Sequence, residues 1–225
     1  MAVDQRVYDA RREAAPALAL ASTLLIVLAA VSGTEGWQLL YLAWWSWLVP
    51  AASAVVLMVD LLLGVRGPTL AGSRMVAVSL LAVLVGGNLV ALVSLVAGVV
   101  TTSTRDLSGG ELLLTAAVIW ATNVVAFGLL FWEIADAGPV ARTGDPRAHP
   151  DFEFPQDEDS ELAPPGWAPH AWDYLYVSLT NSIAFSPTDA MPLTWRAKGL
   201  MALGSTISVV TVLLVGARAV NVLGT

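Results

Sequence analysis

Cysteine is absent from all 225 residues, which excludes disulfides, thiolate metal sites and cysteine catalysis. Charge is scarce, at 13% of residues, and lysine occurs only as Lys198. The two histidines, His149 and His170, are too far apart in sequence to form a metal motif and read as solvated. No HExxH, GxSxG or paired-carboxylate motif falls inside an apolar stretch, and Asp60 and Glu133 sit near the ends of theirs. Nothing therefore points to an enzyme or a cofactor, and no basic pattern points to nucleic acid. What remains is apolar: 56% hydrophobic residues and a mean hydropathy of +0.71 place the chain among membrane proteins. The net charge of −7 comes from acidic residues crowded into one hydrophilic segment, so it identifies no basic partner.

The order of segments follows from the apolar runs. Residues 1–14 form a charged tail with Arg6, Arg11 and Arg12, and residues 15–33 are an uncharged run of spanning length. Basic residues before that run and Ser32 and Gly33 at its end also fit a signal peptide, but no soluble mature domain follows, so a retained span is expected. A second span covers 37–63. Trp37 and Tyr41 suit the interface, Trp47 lies about 15 Å deeper and suits helix packing, and Pro50 is expected to kink the helix. Asp60 reads as an interfacial carboxylate that snorkels or pairs with Arg66. The third span, 75–100, is interrupted by Gly86, Gly87 and Asn88, and the fourth, 111–134, carries Asn123 at its centre. Counted from the loop between them, Asn88 and Asn123 both lie about 18 Å deep, so an interhelical amide pair is expected, with a substrate contact as the second reading.

Residues 136–169 change character. Rich in Pro, Asp and Glu, with PDFEFPQDEDSELAPPGWAP as the densest part, they have too little apolar surface to fold alone and read as an extramembrane linker. Asp157, Glu158 and Asp159 attract cations in a general way but lack EF-hand spacing. Next comes an amphipathic stretch over 172–184, shorter than the ~20 residues a crossing needs, then a turn with Pro187 and Asp189. The final apolar run, 193–223, is about 45 Å long as a helix and is expected to tilt. Its Gly204, Ser205, Thr206 and Ser208 suit either tight packing or a wetted lumen.

The stretch Leu175-Tyr176-x-Ser178, Thr180-Asn181-Ser182, then Asp189, Pro192, Thr194 and Trp195, resembles the pore helix, filter and inner-helix start of tetrameric potassium channels. The resemblance covers about residues 173–223. It implies a pore helix bearing Tyr176, Ser178, Thr180 and Asn181, and a filter at Ala184, Phe185, Ser186, Pro187, Thr188 and Asp189 in place of TVGYGD. It further implies an inner-helix hinge at Gly204 or Ser208, and the fourth span as outer helix. Ser186 and Thr188 replace the filter's two glycines, while Pro187 fixes φ, removes an N–H and biases Ser186 toward extended backbone. A potassium-selective filter of the usual form is therefore not expected. A wider mouth lined by hydroxyls and the Asp189 carboxylate is compatible with weak selectivity for monovalent cations or with no conduction. Without the resemblance, SPTD is an ordinary turn sequence in which Thr188 or Asp189 caps a helix.

The expectation is thus an all-α multi-pass protein of the cell (cytoplasmic) membrane, with about five transmembrane helices and one re-entrant helix and loop before the last. Its parts are the tail 1–14, three helices over 15–110, an outer helix over 111–135, the linker 136–169, the pore helix and loop 170–192 and the inner helix 193–225. Its partners are the lipid bilayer, further copies in a homotetramer and monovalent cations, with no cofactor and no nucleic acid. Rival readings are a small transporter with its site near Asn88 and Asn123, and a non-conducting scaffold. The positive-inside rule puts Arg6, Arg11, Arg12, Arg66, Arg74, Arg142, Arg147, Arg196 and Lys198 in the cytoplasm, with Arg105 and Arg218 outside. That places the Pro187 loop on the cytoplasmic side, whereas potassium channels dip theirs in from outside.

Overall fold

A computed structural model describes residues 12–37, 42–63, 74–100, 109–135, 150–158, 161, 164, 167–184, 186 and 189–223. Among the described residues, six helices of fourteen residues or more carry the fold: α1 (Ala15–Thr34), α2 (Leu48–Leu63), α3 (Arg74–Val100), α4 (Gly109–Ile134), α5 (Ala171–Ala184) and α6 (Trp195–Leu223). The all-helical expectation misses one detail. Two-residue strands β1 (Phe152–Glu153) and β2 (Met191–Pro192) pair antiparallel, Phe152 opposite Pro192 and Glu153 opposite Met191.

Local chemistry sets the ends of these helices. Pro16 lies in the first turn of α1, where its missing N–H costs nothing. At the other end Gly36, at φ 66°, reverses the chain, and Trp37 N–H donates to Ser32 O at 2.9 Å, closing a Schellman turn. The second span does not begin at Trp37. A tight turn over Trp44–Trp47 precedes α2, and Pro50 is the third residue of α2, so it starts the helix and does not kink it. Alone α2 is about 24 Å long. Trp47 is buried, whereas Trp44 and Trp45 are exposed. The glycine pair in α3 does not interrupt it: the helix is continuous through Gly86 and Gly87, and Gly87 accommodates the Pro50 ring.

Among the described residues, four helices are long and apolar enough to cross a membrane: α1, α3, α4 and α6. The central one is α4, packed against α1, α3, α5 and α6. Among the described glycines Gly128 is the most closely approached: a Cβ there would lie 2.8 Å from the Leu175 Cα of α5. A backbone atom cannot swing aside as a side chain can, so the added methyl has to push the two helices apart. Gly128→Ala should lower stability by about 1–3 kcal/mol. Thermal unfolding in detergent, followed by tryptophan fluorescence, checks this; an unchanged midpoint would mean that α5 is free to shift.

Candidate functional site

Two carboxylates set the entry of α5. His170 precedes its first residue, and its N–H donates to Asp173 Oδ2 at 2.6 Å, one half of a capping box. Glu13, from the turn before α1, accepts from Ala171 N–H at 3.3 Å, and its other oxygen lies 2.9 Å from His170 Nδ1. Negative charge at a helix N-terminus is favourable. His170 is therefore engaged and not simply solvated, although its exposed side chain makes the contact itself weak. His149 lies outside the described residues.

From this end α5 descends between α4 and α6. Tyr174 is fully buried beside Phe152 and Phe154, with ring centroids 5.7 and 5.3 Å away, and Leu175 sits on Gly128. Lower down, Asn181 Nδ2 donates to Met201 O at 3.0 Å, and Ser205 Oγ donates to Asn181 O at 3.3 Å. Asn181 thus lies about 9–15 Å along α6 from its start. The residues expected in the pore helix divide accordingly. Ser178 and Asn181 are buried, Tyr176 faces outward, and part-buried Thr180 turns its hydroxyl back onto Tyr176 O.

Beyond Ala184 the chain turns back. Phe185, Pro187 and Thr188 lie outside the described residues, while Ala184, Ser186 and Asp189 are exposed. Met191 then pairs with Glu153, and Glu153 adjoins Phe152, which touches Tyr174 near the start of α5. Entry and exit of this hairpin therefore lie at one end of the bundle. Asp189, Glu153 and Glu158, with Phe154 and Pro155, line an open cavity of about 190 Å3 there.

The linker supplies the fastening. Its composition suggests an undocked tether, yet Phe152 and Phe154 are buried, Phe152 lying 5.4 Å from the Phe131 ring and Phe154 5.9 Å from Trp167. The PDFEFP alternation points both phenylalanines to one side of an extended strand, a signal that composition averages away. Beside them Asp151 O accepts from Leu193 N–H at 2.9 Å, Asp151 Oδ1 accepts from Thr194 Oγ1 at 2.6 Å, and Asp151 Oδ2 is paired with Arg196. Thr194 is also the N-cap of α6, accepting from Ala197 N–H at 3.2 Å, so the cap is neither Thr188 nor Asp189. Arg196 reaches on to Ile134 O at 3.1 Å, the last residue of α4.

Asn88 and Asn123 do not pair. Asn88 Oδ1 lies 2.9 Å from Thr122 Oγ1, while Asn123 Nδ2 donates to Gly204 O at 3.0 Å and Ser208 Oγ at 2.9 Å. The two asparagines lie at neighbouring levels but face different ways, because successive helical residues point about 100° apart. Thr122 therefore meets α3 and Asn123 meets α6. Through Gly204 and Ser208 α6 runs unbroken, and Gly204 accommodates the Phe127 ring 3.1 Å from where its Cβ would stand. The side chain of Asp60 and all of Arg66 lie outside the described residues.

No family model, curated protein or solved structure matches the chain. Its architecture is that of an all-α, multi-pass membrane protein built on four apolar helices.

Asp151 is 4% exposed and Arg196 47% exposed, so loss of the two partners is not equivalent. Arg196→Met leaves a buried carboxylate without its cation and should cost about 3 kcal/mol. Asp151→Asn keeps an acceptor for Thr194 and leaves an arginine that water can solvate, so it should cost about 1 kcal/mol. Unfolding midpoints of the two variants test the order; the reverse order would mean that the Asp151 carboxylate does not depend on Arg196 as its cation.

Proposed function

We propose that the chain is one subunit of a pore-loop membrane protein, a homotetramer of the cell membrane. In it α5 dips into the bilayer and the chain returns to β2, α4 is the outer helix and α6 borders the central axis. The observation that carries this reading is the hairpin's geometry. A 14-residue helix is about 21 Å long, too short to cross, and the strand after it pairs back at the end where the helix began.

Two further features support it. Only 28% of the apolar window of α6 is buried within the chain, against 67% for α4, so α6 is the helix with most surface left for other copies or a lumen. Gly199, Ala202 and Thr206 are exposed on it at helical spacing, small residues of the kind that let helices approach in lipid. The carbonyl end of α5 points to the deep end of the hairpin and favours positive charge there. With Pro187 in the loop, that chemistry suits weakly selective passage of monovalent cations or a closed assembly, and not a potassium filter. Counted over five crossings, with the short α2 as the second, the charge distribution along the sequence favours a cytoplasmic loop.

Because the chain has no cysteine, single cysteines report without background. Purified in lipid nanodiscs, the protein should be tetrameric by native mass spectrometry, and Thr206→Cys should form inter-subunit disulfides on oxidation. Asp157→Cys should react with a membrane-impermeant thiol reagent only from the cytoplasmic face. A monomer, or copies that never crosslink through position 206, would reject the pore-loop assembly; labelling from outside would invert it.

A further inference from the structure

Near the middle of the bundle, α3, α4 and α6 all touch one another. Each brings a buried polar side chain to the seam: Asn88 from α3, Thr122 and Asn123 from α4, Ser208 from α6. Asn88 is 2% exposed and Asn123 is 0% exposed, yet one end of each amide, Asn88 Nδ2 and Asn123 Oδ1, has no hydrogen-bond partner. An unpaired polar atom is costly in a protein interior, and a lipid-embedded bundle offers no bulk water to relieve it. Thr122 connects the two: Asn88 lies against its hydroxyl, and Asn123 is the next residue along α4.

Counting hydrogens identifies the kind of ligand. Thr122 has one hydroxyl hydrogen, and its Oγ1 lies 2.6 Å from Val118 O and 2.9 Å from Asn88 Oδ1. The shorter contact takes the hydrogen, which leaves Thr122 Oγ1 as an acceptor facing another acceptor. Turning the Asn88 amide by 180° removes that clash: its NH2 then donates to Thr122 Oγ1, and its carbonyl oxygen becomes the unpaired atom. Asn123 needs no such turn, because both hydrogens of its NH2 are used by Gly204 O and Ser208 Oγ. The seam is then bordered by two unpaired carbonyl oxygens, each lacking a donor.

We infer that this seam is a buried binding site for a small two-hydrogen donor, a water molecule, which bridges the amide oxygens of Asn88 and Asn123. A dehydrated metal cation is the rival occupant. It would find two free amide oxygens where a dehydrated ion takes roughly six or more, so water fits the donor set and a cation does not. Water joins α3 to α6 through α4 and couples two amides that do not touch, whether or not the protein conducts.

A structure of the protein in nanodiscs, at a resolution that shows ordered water, tests this directly. The expected result is one density peak within hydrogen-bond distance of both side-chain amides, unchanged in position when sodium is replaced by rubidium and without rubidium's anomalous signal. Direct contact between the amides, an empty seam, or a rubidium signal would overturn it. A thermal double-mutant cycle gives an independent reading that needs no density. If one water serves both amides, Asn88→Ala and Asn123→Ala each lower the unfolding midpoint, and the double variant loses clearly less than the two shifts added together. Additive shifts would mean that the amides are satisfied separately, against the proposal.

Discussion

A single carboxylate, Asp151, fastens the end of the molecule at which the chain makes its most complicated path. Two segments far apart in sequence meet on it, the linker that carries it and the start of α6, which supplies the N-cap Thr194 and the guanidinium of Arg196; Arg196 also holds the last carbonyl of α4. Without that meeting, the strand after α5 would have only two residues of pairing with β1 to define where it returns. A two-residue ladder is far below what holds a hairpin together in water. Aromatic packing supplies the rest: Phe131, Phe152, Tyr174 and Phe154 form a run of tilted and edge-on rings that continues the apolar core past the end of α4. The polar fastening gives the hairpin its register, and the ring cluster gives it burial.

Close approach is the second requirement, and glycine meets it at three interfaces. Gly128 admits the α5 backbone, Gly204 admits the Phe127 ring and Gly87 admits Pro50. Apolar side chains gain little from leaving lipid tails for one another, so helices in a bilayer associate through packing and buried hydrogen bonds. Those two means occur together here. The α6 position that lets Phe127 close in, Gly204, also offers the carbonyl that receives the Asn123 amide.

The sequence made the membrane class and four of the five expected spans legible because hydropathy over some twenty residues is a strong signal that tertiary context rarely reverses. It also showed that 172–184 is too short to cross, and α5 spans Ala171–Ala184. The start of α2 was misplaced because Trp37 through Trp47 is as apolar as a helix would be, and hydropathy does not register that Gly36 turns the chain there. The docked linker was missed because two phenylalanines are invisible in a segment averaged over Pro, Asp and Glu. Asp151 had no local signature at all; its partners lie more than forty residues away, and only the fold brings them to it. For the amides, neighbouring levels along the helices were readable from residue count, whereas direction around each helix depended on which neighbour lay where.

The same distinction resolves the small and hydroxyl-bearing residues of α6. Read as a string, Gly199, Gly204, Ser205, Thr206 and Ser208 admit packing and a wetted surface equally. In the fold they fall into two sets. Gly204 and Ser208 face α4 and Ser205 bonds α5, so their small size and their hydrogen bonds are accounted for within one chain. Gly199 and Thr206 are exposed, with Ala202 between them, and the chain's own packing does not account for them. Exposed leucine or valine on a membrane helix needs no partner, because lipid solvates it as well as protein does. The outward small-residue face is therefore the part of α6 that packing inside one chain does not explain, and it belongs to the helix with the least buried surface of the four spans.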